Sequence, residues 1–347
     1  MKRFNLVKTA FMLAVTAMIA VGCTKPDDPN NNGGGNGGGN NGGNNGGGNN
    51  EEPTTTVSVT LKTPQNVKHT TALLGAVANV PEGEDIGQFA ICWGTEENPV
   101  TGLDNTIYYY NVPSFDTLVF GFQPGTTYHV RAFLRAGSGD YYSEDKTFTT
   151  RDVTDMSLYD SIGGYPYVDL GLPSGLKWAV YNVGTNSPAG RGSYFAWGET
   201  EEKSDYTWYT YKYGNYYDDV LSKYNDNDNL TTLQSIDDPL SMNWGNGWHT
   251  PTSDEFEEFC QHYYKIGGIT IDDVEIWIFT FPNGNSIFLP KCGYKSGTGT
   301  GPEGIYATSS VGTSNRWYNI VFKFYMTALQ GTGREFGFPY RGVHSSL

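Results

Sequence analysis

Basic residues are scarce in this chain: 22 Lys and Arg stand against 37 Asp and Glu, a formal net charge of −15 in 347 residues. Nucleic acid and anionic lipid surfaces, which need a basic stripe to meet their phosphates, are therefore excluded as charge-driven partners. The sequence also lacks a Ser-His-Asp arrangement, a phosphate loop and zinc-ligand spacing, and His249, His262 and His344 form no ligand pattern. No cofactor is expected. The apolar stretch from Ala10 to Val21 is too short to span a bilayer. Glycine is abundant, 45 residues, but without the strict period of a collagen, and a 15% aromatic content excludes a wholly disordered chain. The length allows about two domains of roughly 150 residues each.

Residues 1–22 have the order of a secretory signal, with Lys2, Arg3 and Lys8 ahead of the apolar stretch. Ala20-Val21-Gly22-Cys23 then resembles the bacterial lipobox, which implies cleavage before Cys23 and acylation of its thiol and new amino group. Several acyl chains anchor far more firmly than one. Cleavage removes three basic residues and no acid, so −15 becomes −18. Thr24-Lys25-Pro26-Asp27-Asp28 is similar to the signals that route Bacteroidota lipoproteins to the outer face of the outer membrane. Residues 23–52 are expected to form the lipidated tether, because positions 30–50 contain only Asn and Gly and have no apolar surface to bury. As a Gly-rich coil that stretch spans about 25 Å.

Residues 53–151 carry seven short β-rich runs between turn signals, 57–61, 72–77, 89–93, 106–110, 117–122, 128–134 and 141–148, which predict a β-sandwich. Phe122-Gln123-Pro124-Gly125-Thr126-Thr127-Tyr128-His129-Val130-Arg131-Ala132, with Phe148-Thr149-Thr150, resembles the fibronectin type III-like domains of bacterial surface proteins. That resemblance implies an all-β module used as a spacer or interaction domain, with Tyr128 at the tyrosine-corner position. His69 and His129 are too isolated for a metal site and are expected at the surface.

Residues 152–347 hold 19 of the 25 Tyr and seven of the eight Trp. Thr252 and Glu255 form a capping box, and Phe256, Phe259, Cys260 and Tyr263 follow at helical spacing. Runs 274–281 and 286–289 flank Pro282-Asn283-Gly284-Asn285, a hairpin signal. Many short strands with a helix or two predict an α+β domain. Tyr167-Val168-Asp169-Leu170-Gly171-Leu172-Pro173-Ser174-Gly175-Leu176-Lys177-Trp178-Ala179, Tyr194-Phe195-Ala196-Trp197-Gly198-Glu199, Trp248-His249-Thr250-Pro251-Thr252 and Gly337-Phe338 with Arg341 resemble the Fibrobacter succinogenes major paralogous domain family. The family is similar to C-type lectin-like folds, which implies a surface domain with no established activity to transfer.

Four sets of residues remain as candidate sites. Trp208, Tyr209, Tyr211 and Tyr213, in a run that alternates partly like a strand and extends to Tyr216 and Tyr217, could stack on sugars or fill the domain's own core. Asn225-Asp226-Asn227-Asp228-Asn229 offers oxygen ligands for Ca²⁺ but lacks the Gly and distal Glu of an EF-hand loop, so a solvated loop is the expectation and no metal is assigned. Asp237-Asp238 and Glu199 with Glu201 and Glu202 could serve glycoside hydrolysis, or be ordinary surface acids. Cys260 and Cys292 could pair in an oxidising compartment, or remain free thiols. The sequence thus leads to a non-catalytic, lipid-anchored outer-membrane surface protein, an adhesin or glycan-binding module. A structural component that docks protein, or a carbohydrate-active hydrolase, is the alternative.

Overall fold

In the computed structural model, residues 56–102, 104–214, 220–312, 318–323 and 328–345 are described, and most of them lie in short β-strands and turns. Cys23, the signal segment, the Asn/Gly tether, Tyr216 and Tyr217 fall outside the described residues. Among the described residues no helix is long and apolar enough to cross a membrane.

The first half alternates buried and exposed side chains along eight strands: β1 (Ser58–Leu61), β2 (Thr71–Asn79), β3 (Ile86–Gly94), β4 (Thr106–Tyr110), β5 (Ser114–Phe120), β6 (Thr127–Ala136), β7 (Gly139–Tyr142) and β8 (Lys146–Thr149). They form two sheets, β1-β2-β5 and β4-β3-β6-β7, with β8 also paired to β6. This is the order of an all-β, fibronectin type III-like sandwich. Leu74, Phe89, Ile91, Val119, Val130 and Leu134 fill the space between the sheets. Tyr128 makes the expected corner, its hydroxyl accepting the Gln123 N–H at 2.9 Å. The single strand expected over 141–148 is broken at Ser143, whose hydroxyl accepts the Ala132 N–H at 2.9 Å and so ends the ladder between β6 and β7.

The second half comprises β9 (Asp160–Ile162), β10 (Tyr165–Asp169), β11 (Lys177–Asn182), β12 (Tyr194–Phe195), α1 (Pro239–Trp244), β13 (Trp248–His249), α2 (Ser253–His262), β14 (Lys265–Ile271), β15 (Val274–Thr280), β16 (Ser286–Pro290), β17 (Tyr294–Ser296), β18 (Gly299–Gly301), β19 (Ile305–Val311), β20 (Tyr318–Lys323), β21 (Ala328–Gly333), β22 (Phe338–Pro339) and β23 (Arg341–His344). The sheet β13-β23-β11-β10-β9 sets the last strand beside early ones, while β14-β15-β16 and β19-β20-β21 flank α2. Helix α2 starts at the capping box read from sequence: Glu255 Oε2 accepts the Thr252 N–H at 2.7 Å, and Thr252 Oγ1 accepts the Glu255 N–H at 3.2 Å. Its Phe256 and Phe259 are buried among Trp178, Phe279, Phe281 and Phe322. Only α1 and α2 are α-helical among the described residues, so the expected α+β balance gives way to a β-dominated body. Turns rich in Gly and Asn cut the chain too often for longer helices.

Among the described residues no sheet contains strands from both halves, yet the halves share a buried seam. The turn between β15 and β16 docks onto the sandwich. Thr70 Oγ1 lies 2.9 Å from Thr280 Oγ1 and 2.7 Å from Ser286 Oγ, and Thr71 Oγ1 donates to the Gly284 carbonyl at 2.9 Å. Lys68 Nζ donates to the Asn283 carbonyl at 3.0 Å and to Asn285 Oδ1 at 2.7 Å. Gly284 sits at φ +80°, and a Cβ there would stand 3.1 Å from Thr71 Oγ1, so turn geometry and close approach both favour glycine. The sandwich is therefore a fixed partner of the second half rather than a free spacer.

His69, expected at the surface, is only 3% exposed in this seam, stacked on Tyr159 with ring centroids 5.6 Å apart and edge-on to Phe288 at 5.1 Å. Burial pulls its pKa from 6.5 down to about 4. The unfolded chain therefore takes up this proton first, and stability falls as pH drops from about 6.5 toward about 4, by an amount of order 3 kcal/mol. Denaturant unfolding at about pH 7 and about pH 4.5 should show this loss in the natural chain. It should be largely absent in His69→Phe, which keeps the ring but cannot charge.

Candidate ligand-binding site

The aromatic run 206–213 is pinned by its own threonines. The Thr207 N–H donates to Thr210 Oγ1 at 3.3 Å, Thr210 Oγ1 donates to the Asp205 carbonyl at 2.6 Å, and Trp208–Thr210 closes as a 3-10 turn instead of the partial strand expected. The turn directs rings inward. Tyr206, Tyr211 and Tyr213 are buried beside Trp197 and Tyr224, and half-buried Trp208 packs against the same cluster. Each buried phenol finds an acceptor: Tyr206 donates to the Tyr194 carbonyl at 2.6 Å, Tyr211 to the Trp197 carbonyl at 2.9 Å, and Tyr213 to Asp237 Oδ1. Of the four rings proposed from sequence for ligand contact, Tyr211 and Tyr213 are thus core residues. Tyr209, 71% exposed, is the ring turned outward.

The acids are likewise committed. Asp237 is 3% exposed and receives Lys212 Nζ at 3.0 Å, Lys223 Nζ, the Tyr213 hydroxyl and the Tyr224 hydroxyl at 2.8 Å. Burial opposes ionisation, but these donors outweigh it and hold the carboxyl well below the usual range. Asp238 caps α1, accepting the Leu240 N–H at 3.1 Å, the Ser241 hydroxyl at 2.9 Å, the Thr250 N–H at 2.9 Å and the Thr250 hydroxyl. Glu199 accepts Lys203 Nζ and the Lys212 N–H, both at 2.8 Å, and Glu202 accepts the Ser193 hydroxyl and the Tyr194 N–H, both at 2.9 Å. Of the acids the sequence left open between hydrolysis and ordinary surface, Asp237, Asp238, Glu199 and Glu202 are held by hydrogen bonds, and Glu201 is exposed.

A cleft of about 560 Å³ opens where β13, the N-terminus of α2 and the loop before α1 meet. Its rim is the turn Gly245-Asn246-Gly247, three successive residues at φ 61°, 51° and 85°, which brings His249 back over α2. His249 Nε2 lies 3.3 Å from Glu255 Oε1, and Nδ1 is 3.3 Å from the Gly247 carbonyl. Burial lowers the imidazole pKa, but the Glu255 carboxylate, the Gly247 carbonyl and Asp238 more than offset it, and the net shift is upward. Glu255 is correspondingly lowered, its own burial overcome by His249 and Thr252. The wall between these groups carries the hydroxyls of Thr232, Ser235 and Ser309, which make no hydrogen bond among the described residues. Asp238 is hydrogen-bonded to N–H and hydroxyl donors with no cation beside it among the described residues, and Glu255 faces His249, so the cleft presents hydroxyl, amide and imidazole edges over a negative charge balance. Sequence offered little notice of it, since Trp248-His249-Thr250-Pro251-Thr252 entered only as a family-resemblance motif and the approach to the capping box.

Protein-family models and curated proteins yield no match to the chain. Solved structures do. The sensor domain of the anti-sigma factor RsgI4 from Pseudobacteroides cellulosolvens is 15% identical, covering 28% of this chain and 98% of that one, with a TM-score of 0.23. The sixth fibronectin type III domain of human fibronectin type III domain containing protein 3 is 23% identical, covering 26% of this chain and 84% of its own, with a TM-score of 0.20. The fibronectin type III domain of the human KIAA0970 protein is 14% identical, covering 31% and 80%, with a TM-score of 0.22. The sandwich assignment rests on its own strand order and not on these scores.

The remaining sequence candidates resolve as follows. Cys260 and Cys292 are free thiols, the first against the α2 core and the second beside Tyr194 and Tyr206, so the disulfide considered from sequence is not formed. In the loop 225–229, Asp228 accepts the Leu230 N–H at 3.0 Å and Asn225 Oδ1 accepts the Asn227 N–H at 2.8 Å, so its oxygens cap their own backbone. Among the described residues no cluster of three or more His, Cys, Asp or Glu is placed to hold a metal. Asp237→Asn should cost about 2 to 4 kcal/mol by leaving buried donors mismatched. Tyr209→Ala should stay within about 0.5 kcal/mol. Urea unfolding of the two variants separates the structural residue from the exposed one.

Proposed function

We propose that this chain is a non-catalytic, lipid-anchored surface protein whose second half binds neutral glycans, as an adhesin or glycan-binding module. The single observation that carries the binding assignment is the polar cleft at His249. Hydroxyl and imidazole edges complement a polyol, the Asp238 and Glu255 carboxylates beneath them disfavour an anionic one, and the volume lies within the roughly 300 to 1,000 Å³ of small-molecule sites. Acylation at Cys23, the Asn/Gly tether and outer-membrane display are the other parts of the proposal, supported by the lipobox resemblance and the composition of residues 30–50. The Fibrobacter succinogenes major paralogous and C-type lectin-like resemblance supports a surface role for residues 152–347 in the same way. Binding is preferred to hydrolysis because Asp237, Asp238, Glu199 and Glu202 are tied to lysines, tyrosines, hydroxyls and backbone N–H groups, leaving no pair of them poised across a sugar.

Glycan-array binding by the full chain tests the proposal. Neutral oligosaccharides are expected to bind better than sialylated or sulfated ones. Ser235→Trp, at an exposed position on the cleft rim, should weaken that binding at least about tenfold, or about 1.4 kcal/mol. Binding that survives Ser235→Trp but is lost in Tyr209→Ala would move the site to the 3-10 turn, and no saturable binding to any sugar would refute the glycan assignment.

A further inference from the structure

Strand β14 is an edge. It pairs with β15 along all seven residues and has no neighbour on its other side among the described residues. The hairpin turn is Asp272-Asp273, both at positive φ, 47° and 59°, the geometry of a two-residue type I′ turn. That turn makes Ile271 and Val274 a hydrogen-bonded pair, and the alternation of an antiparallel ladder then directs the peptide groups of Lys265, Gly267, Ile269 and Ile271 toward β15. The N–H and C=O groups of Ile266, Gly268 and Thr270 point outward, and no hydrogen bond among the described residues uses them.

Edges of this length are usually blocked by a proline, a bulge, a covering loop or several charges. Here the register runs without a bulge, proline is absent, and Lys265 is the only charged residue in the strand. Lys265 stands at one end and Asp272 and Asp273 at the other; all three are exposed and make no ion pair among the described residues. A parallel neighbour of identical sequence would set like charges side by side. An antiparallel copy would set each lysine at the end of the other strand where the two acids stand.

We propose that β14 pairs with β14 of a second copy of this chain across a two-fold axis at Gly268, joining two three-stranded sheets into one of six strands. In that register Gly268 faces Gly268 of the partner subunit, and Ile266 faces Thr270 of the partner subunit and the reverse. Three such pairs, each exchanging two bonds, satisfy the outward peptides with about six hydrogen bonds. Lys265 lies opposite Ile271 of the partner subunit, beside the end of that strand where the Asp272-Asp273 turn begins. A seven-residue edge is small against the roughly 1,000 Å² of a stable interface, so the dimer is weak and concentration-dependent. The pairing stands independently of what the His249 cleft binds.

Sedimentation of the full chain over a wide concentration range should show a reversible monomer–dimer equilibrium. Lys265→Glu should weaken it at least about tenfold, and adding Asp273→Lys to that variant should restore it, since both side chains are exposed and neither change touches the β14–β15 ladder. Gly268→Cys should cross-link to itself under mild oxidation well above the background of the natural thiols, whereas Thr270→Cys, which faces Ile266, should not. A Cβ at Gly268 meets only the Ile276 carbonyl, at 3.4 Å, so the cysteine fits. A chain that stays monomeric throughout, a dimer indifferent to both charge changes, or equal cross-linking at 268 and 270 would each overturn the proposal.

Discussion

The strands of the second half close around the guanidinium of Arg341, one of two fully buried arginines among the described residues. The ladder between β11 and β23 shifts register between Trp178 and Asn182, which withdraws β11 carbonyls from strand pairing. Arg341 fills the gap, donating to the Ala179 carbonyl at 3.0 Å, to the Val180 carbonyl, to Asn182 Oδ1 at 2.9 Å and to the Phe288 carbonyl at 2.9 Å. No lysine could do this, since the acceptors lie in several directions and need the fixed fork of a guanidinium. Burying a charge without a carboxylate is costly, and the cost is tolerable only because these donors meet oxygens that would otherwise be orphaned.

The same residue explains how the two halves become one body. Its fourth acceptor belongs to β16, and the turn leading into β16 is the knuckle seated on Lys68, Thr70 and Thr71 of the sandwich. Phe288, whose carbonyl Arg341 holds, also packs against the edge of His69. Closure of the C-terminal strand and docking of the sandwich are thus mechanically linked through five residues of one strand. The junction combines paired hydroxyls at Thr70, Thr280 and Ser286 and the Lys68 ammonium with the stacked rings of His69, Tyr159 and Phe288.

Local signals were legible in the sequence and long-range ones were not. Thr252 and Glu255 marked the start of α2 because a capping box is complete within four residues, and Pro282-Asn283-Gly284-Asn285 marked a turn for the same reason. Tyr128 was legible because its partner, Gln123, lies five residues upstream. The buried, tied role of Asp237 was neither of the two the sequence offered, because its donors come from residues 212, 213, 223 and 224, in a loop with no periodicity to announce which side chains turn inward. His69 was misread because the rings that cover it, Tyr159 and Phe288, belong to the other half of the chain. The cleft was invisible for a related reason: Thr232, Ser235, His249 and Ser309 are ordinary residues singly, and only the fold makes them neighbours.

The adjacent acids Asp237 and Asp238 show what the aromatic excess of this half accomplishes. Asp237 closes the 3-10 turn Ser235–Asp237, and Asp238 follows in extended backbone as the cap of α1, so the two side chains reach different partners. Asp237 is gripped by the phenols of Tyr213 and Tyr224 and by two lysines; Asp238 holds Ser241 and Thr250 on the cleft wall. The tyrosine cluster therefore fixes the backbone from which the cleft is built. A tyrosine fills core volume as a phenylalanine would and also supplies a hydroxyl that can be aimed at a carboxylate or carbonyl. In a chain with few charges, that second property lets buried polar groups be satisfied without further ion pairs, and a polar cleft can keep a fixed shape beside an aromatic core.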